Sequence, residues 1–238
     1  MRPRIAIPVP HSDAEYSARA LPQYEEAIQL SGGHPVRIPL ETAPAELTHI
    51  VEECQAVLLP GSKADVDPAK YHAARHPQTN AADPRRHSID WELLTDAFAN
   101  RKPVLGICYG LQSINVFRGG TLLQHIKSSV DHEAGREIAV AHNVAIEPGS
   151  TLAAIARDKN GHPIPVNSSH HQSAELVGKG LRVVARCPVD AIVEAIESTD
   201  PDHFVLAVQW HPERSVAQDD LSRALFRAVI AAADGKTR

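Results

Sequence analysis

KPVLGICYGLQSINVF, residues 102–117, sets a thiol between two glycines at the corner of an apolar run and a helix-like run. PVLGIC (103–108) reads as a buried strand, and the run after it as a helix reaching about Arg118. A Gly-x-Cys-x-Gly corner of this form has the shape of a nucleophile elbow. The glycines remove side chains that would meet nearby backbone. The thiol of Cys108 would project above the sheet edge, where open α/β folds bind ligands. The helix start would aim its dipole at the sulfur and lower the thiol pKa. The N–H of Tyr109 would be free for a developing oxyanion. The other reading is a buried structural cysteine.

Working outward, the first half alternates. RIAIPV (4–9) reads as a strand and 16–30 as a helix closed by Gly32-Gly33. HPVRIPL reads as a strand, 45–54 as a helix and AVLLP (56–60) as a strand. Ser88 is the expected cap of a helix reaching Asn100. This alternation predicts a parallel sheet covered on both faces. The second half changes character: EIAVAHNVAIE, LRVVARC, AIVEAIES and FVLAVQW read as strands in hairpin-type connections, and 218–233 as an amphipathic helix. With no linker or repeat, the chain is read as a single domain, 1–238. Residues 62–87 are polar and rich in Pro, His and Ala, either a functional lid or a surface excursion with a short helix near 68–74.

Composition excludes several classes. Net charge is −5 and aromatic residues are 4% of 238, which disfavours a nucleic-acid partner. No apolar run approaches the roughly 20 residues of a membrane span, and the N-terminus lacks a signal-peptide stretch. A cytoplasmic location is the expectation. Cys54, Cys108 and Cys187 form neither a disulfide framework nor a CxxC pattern. The 14 histidines show no HExxH or H-x3-H spacing, so no metal site is expected. His170 and His171 are adjacent, so in a strand they would face opposite ways.

A cysteine nucleophile needs a base, and the base an orienter. In FVLAVQWHPERS, His211 follows an apolar strand and Glu213 lies two residues on, on the same side if the chain is extended. Pro212 would stiffen the unit. An exposed loop ion pair is the plainer reading. AVLLPGS offers a second oxyanion donor, the N–H of Gly61 or Ser62, or an ordinary strand-end turn.

Together LLPGS, GICYGLQSINVFRGGTLLQ, HNVAI, VNSSHHQSA, DAIVEAIE and FVLAVQWHPE resemble, in order, the class I glutamine amidotransferase-like superfamily. Within it the chain looks most like the γ-glutamyl hydrolase peptidase family, its γ-glutamyl-γ-aminobutyrate hydrolase-like branch. The resemblance implies a flavodoxin-like α/β three-layer sandwich, with a mostly parallel central sheet and an added antiparallel section. It implies a Cys108, His211, Glu213 triad and an oxyanion hole from Gly61 and Tyr109. Gln112, His170, His171 and Ser62 are candidate substrate contacts. For Gln112 and His170 the plainer roles are packing on the sheet and a backbone-bonded strand-end histidine.

The implied reaction is hydrolysis of a γ-glutamyl amide through a thioester, without metal or organic cofactor, in amine or polyamine catabolism. The partner is a small γ-glutamyl substrate, and a homodimer is carried as an open expectation. A glutaminase domain feeding ammonia to a synthase is the alternative. A non-catalytic ligand-binding or redox-sensing module is a third reading. Three departures stand out. Tyr109 follows the nucleophile where hydrolases of this branch often have Arg and amidotransferases Leu, which puts γ-aminobutyrate as leaving amine in doubt. Gln124-His125 stands for Gln-Asp, and Asp190-Ala191 for Asp-Gly.

Overall fold

The computed structural model describes residues 2–157 and 162–235. In chain order it contains β1 (Arg4–Pro8), α1 (Ala14–Leu30), β2 (His34–Ile38), α2 (Pro44–Glu52), β3 (Ala56–Leu59), α3 (Pro84–Ala99), β4 (Val104–Ile107), α4 (Tyr109–Phe117) and β5 (Leu122–Leu123). There follow β6 (His142–Ile146), α5 (Thr151–Ala156), β7 (Ile164–Val166), β8 (Ser173–Ala174), β9 (Leu181–Arg186), β10 (Val193–Ser198), β11 (Val205–Val208) and α6 (Asp220–Ala233).

Nine strands join in the order β2-β1-β3-β4-β11-β10-β9-β6-β7. The five from β2 to β11 run parallel, and β10, β9, β6 and β7 add the antiparallel section. β4 lies between β3 and β11, so the chain returns from its far end to the centre of the sheet. That return brings His211, three residues past β11, beside the end of β4, across 103 residues of sequence.

Alternation along the strands divides the core. Ile5, Ile7, Leu58, Leu105, Ile107, Leu206 and Val208 face α1, α5 and α6. Ala6, Val57, Leu59, Val104, Val205 and Ala207 face α2, α3 and α4. Both faces of a parallel sheet are thus apolar and covered, as its continuous Val/Ile/Leu runs require. This is the expected three-layer architecture.

The structure corrects local boundaries. α3 begins at Pro84, not Ser88: the Asp83 carboxylate accepts from the N–H of Arg85 and Arg86, and Pro84 suits the first helical position. Of EIAVAHNVAIE only His142–Ile146 is strand. The sequence reading had no counterpart for β5, β7, β8 or α5, each six residues or fewer.

Residues 62–87 contain a 3-10 turn at Pro68–Tyr71 and are tied to the body. Gln124 Oε1 accepts from the His76 N–H and the Thr79 hydroxyl, both at 2.8 Å, and Gln124 Nε2 donates to the Ala74 carbonyl. His125 stacks on His76 with centroids 5.5 Å apart. The unusual Gln124-His125 pair therefore clamps this segment.

Candidate active site

Cys108 occupies the turn between β4 and α4 with φ 52° and ψ −104°. For a residue with a Cβ this is a strained conformation. The neighbouring glycines allow it through packing. A Cβ on Gly110 would lie 2.2 Å from the Leu59 carbonyl oxygen. One on Gly106 would lie 2.6 Å from Ile114 Cδ1 and 2.9 Å from the Gly110 carbonyl carbon. α4 can therefore sit tight against β3 and β4 only without side chains at both positions. Burial raises the thiol pKa, and the Tyr109 N–H, first in α4 and without an intrahelical acceptor, only partly opposes this by hydrogen bonding.

Gly61, two residues past β3, lies between the other two groups. A Cβ there would meet His211 Cε1 at 3.0 Å and Cys108 Cβ at 3.6 Å. The fold thus gathers Cys108, Gly61 and His211 at the carboxyl ends of β4, β3 and β11. The Gly61 N–H donates to the Tyr24 hydroxyl of α1 at 3.1 Å, and an arriving oxyanion would compete with that phenol.

His211 Nδ1 is 2.8 Å from Glu213 Oε1, and both residues are buried. The geometry differs from the extended pairing read in the sequence. Pro212–Arg214 form one 3-10 turn, and His211 caps it with φ −114° and ψ 81°. The ring still reaches its carboxylate because the turn curls back under it. Burial lowers the His211 pKa below its usual 6.5 despite Glu213, so the resting imidazole is neutral. Burial alone would raise the Glu213 pKa, but His211 and Arg214 outweigh it and keep the carboxylate ionised.

The thiol departs from expectation. Burial pushes it up to about 12, Arg214 opposes this and Glu213 adds to it. Cys108 is only 6% exposed, and loss of water around the sulfur outweighs the helix start. The expected lowering of the thiol pKa is therefore corrected.

The remaining candidates are built into the walls. Gln112 is buried, its Nε2 3.3 Å from the Gln172 carbonyl and 3.5 Å from Gln209 Oε1. Ser62 Oγ accepts from the Ala64 N–H at 3.2 Å. His170 points its Nδ1 at the Gln172 carbonyl, 2.9 Å away, and its Nε2 toward Glu194. His171 turns the other way and meets Asp65 at 3.0 Å. The two adjacent rings diverge as read, from a loop between β7 and β8 rather than from a strand. The Tyr109 ring is buried beneath Ala64, Val66 and Tyr71, with the Arg86 guanidinium 5.0 Å from its centroid.

Three supporting groups were not singled out by sequence reasoning. Asn167 holds His211 by its backbone: Nδ2 donates to the His211 carbonyl and Oδ1 accepts from its N–H, both at 2.9 Å. Arg214 donates to Ser169 Oγ at 2.8 Å and lies 3.7 Å from Glu213. Arg86, fully buried, pairs with Asp90 at 2.6 Å and donates to the carbonyls of Pro10 and Pro60. It thereby fixes the ends of β1 and β3 below Gly61. Asn167 and Arg214 lie inside motifs that were read, but no spacing or periodicity marks them. Arg86 carries no signal except a charge on a helix.

The family Peptidase C26 matches residues 8–213. Over 216 residues the chain is 38% identical to Rv2859c of Mycobacterium tuberculosis, provisionally described as a glutamine amidotransferase, covering 89% of this chain and 67% of that protein. Over 220 residues it is 34% identical to the γ-glutamyl-γ-aminobutyrate hydrolase PuuD of Escherichia coli K12, covering 88% and 84%. A solved structure from Thermoplasma acidophilum, provisionally assigned as part of a GMP synthase, superposes with a TM-score of 0.66 at 14% identity, covering 99% and 96%. That likeness concerns the fold alone. Among the described residues no helix is long and apolar enough to cross a membrane.

Proposed function

The chain belongs to the Peptidase C26 family, of the class I glutamine amidotransferase-like type, and we propose that within it the protein hydrolyses the γ-glutamyl amide bond of a small γ-glutamyl amine or peptide. The family and its hydrolase relatives support a hydrolase. The observation that carries the finer reading is the buried His211–Glu213 pair against Gly61 at the Cys108 elbow.

In this reading neutral His211 takes the proton of Cys108 as the sulfur attacks the γ-carbonyl, because a thiol near 12 is not ionised beforehand. The oxyanion forms against the N–H groups of Tyr109 and Gly61. His211, now protonated, gives its proton to the departing amine. It then takes one from water as the resulting hydroxide attacks the thioester carbonyl, and hands that proton to the departing Cys108 sulfur, freeing glutamate and restoring the resting thiol and neutral imidazole. Glu213 holds the ring tautomer and stabilises the imidazolium. Gln112, Ser62, His170 and His171 remain proposed as the substrate-side wall. Tyr109, whose ring faces Ala64, Val66 and Tyr71, would influence the leaving amine through that wall.

The resemblance to Rv2859c keeps a glutaminase reading in view. Purified protein incubated with γ-glutamyl amines, γ-glutamyl peptides and L-glutamine, beside Cys108→Ala, tests both. Turnover of γ-glutamyl amines or peptides without any partner supports the hydrolase. Glutamine turnover that appears only with an added synthase would replace it.

A further inference from the structure

Outside the elbow, four buried side chains from four separate segments point at one another. His132 comes from the β5–β6 connection, His142 opens β6, His170 lies between β7 and β8, and Glu194 is in β10. All four are buried, and their nearest ligand-capable atoms lie within 4.8 Å of one another. His132 Nδ1, His142 Nε2 and His170 Nε2 stand 3.3, 3.4 and 3.5 Å from the same oxygen, Glu194 Oε1. None of these atoms has a hydrogen-bond partner among the described residues.

The opposite ring nitrogens set the tautomers. His142 Nδ1 faces the Asn143 carbonyl at 3.1 Å and His170 Nδ1 the Gln172 carbonyl at 2.9 Å, so both carry hydrogen. His132 Nε2 faces Asp190 Oδ2 at 2.8 Å and carries hydrogen as well. Bonded this way, all three rings turn their remaining nitrogen toward one carboxylate oxygen. Four ligand-capable atoms without hydrogen-bond partners among the described residues then face one another in a water-poor interior, where unpaired polar groups are costly. No lysine or arginine pairs with Glu194 among the described residues.

We propose that His132, His142, His170 and Glu194 bind one divalent transition-metal ion, zinc by preference, in a closed structural site. A tetrahedral zinc with bonds of about 2.0–2.1 Å separates its ligands by about 3.3–3.4 Å. Three of the six separations, at 3.3, 3.4 and 3.5 Å, already match that length or lie just above it. Imidazole with one carboxylate suits zinc over magnesium or calcium, which prefer all-oxygen sets. A carboxylate and two backbone carbonyls behind the three rings form the outer support that ligating histidines use. Glu194 and Asp190 together balance two positive charges. A cavity of about 320 Å³ lined by Ser128–Glu133, His170 and His171 reaches two of the ligands and gives the ion a way in. The histidines are too far apart in sequence for any spacing rule to reveal them.

The ion would staple the 167–172 segment to β6 and β10. Asn167, at the start of that segment, is what holds the His211 backbone. The site shares His170 with the substrate-side wall proposed above, but its test reads metal binding and melting temperature rather than turnover, so its failure and that of the reaction are distinguishable.

The test uses the full chain with its purification tag removed, in the Cys108→Ser background so that the thiol offers no ligand. Metal is stripped with a chelator and zinc is titrated back against a competing dye. Expected are about one equivalent bound, a melting temperature that falls on stripping and returns with zinc, and tetrahedral cobalt bands without a thiolate charge-transfer band. Asp190→Asn should weaken zinc binding roughly 10–100-fold, and Glu194→Gln or His142→Asn by more. No binding and no zinc-dependent shift in melting temperature of the stripped protein would overturn the proposal; the rings would then pair with Glu194 as imidazolium ions. Tight binding left intact by both ligand substitutions, with folding verified by circular dichroism, would overturn it equally.

Discussion

Asn167 grips His211 at both backbone polar atoms, donating to its carbonyl and accepting from its N–H at 2.9 Å each. The His211 backbone is thereby fixed, and the ring orientation is left to the Nδ1 contact with Glu213. Asn167→Ala removes both bonds and leaves two buried groups unpaired, at about 1–3 kcal/mol each. Expected are a lower melting temperature and a kcat reduced by roughly 10–100-fold with a smaller change in KM, because a misplaced base loses reactive alignment. Steady-state kinetics with the best γ-glutamyl substrate would check this, and an unchanged kcat would remove Asn167 from the positioning role.

Burial sets the pH behaviour of the resting site. Because the His211 pKa lies below 6.5 and the base must be neutral, the acid limb of kcat/KM is expected below pH 6.5. With the thiol near 12, iodoacetamide alkylation of Cys108 should keep rising with pH from about 7 to 10. A rate plateau near neutrality would mean a preformed thiolate–imidazolium pair.

The Arg86–Asp90 pair, fully buried beneath Gly61, is the structural counterpart. Arg86→Met strands an unpaired carboxylate and should cost about 3–5 kcal/mol, a fall in Tm of roughly 6–20 °C for a chain of this size. Thermal unfolding measures it. The double substitution Arg86→Met, Asp90→Leu should recover much of the loss, since no lone charge remains.

Much of this was legible in the sequence. The strand and helix alternation around residues 102–117 gave the parallel half, because strands covered on both faces must be continuous apolar runs. His211 and Glu213 were legible as a short local unit. The thiol pKa was not, because burial is a property of the assembled site and the turn alone shows only the helix start. Asn167, Arg86 and the convergence of three histidines on Glu194 were hidden for a related reason: each acts across the fold, on partners distant in sequence. The short β5 and β8 carry no periodicity to read.

One departure from the family pattern acquires a physical meaning. Ala191, where the resemblance leads one to expect Gly, sits at φ 60°, a left-handed conformation costing a residue with a Cβ about 1–2 kcal/mol. Ala191→Gly relieves that strain and gives back part of it as chain entropy. A net gain of about 0.5–1 kcal/mol is expected in denaturant unfolding. A loss of stability would mean that the Ala191 methyl makes a compensating contact.

Acid-quench mass spectrometry during turnover of a γ-glutamyl amine tests most directly whether Cys108 forms a thioester. The expected result is a γ-glutamyl adduct on the peptide carrying Cys108, absent from Cys108→Ala together with all turnover. Turnover that persists in Cys108→Ala would contradict the account.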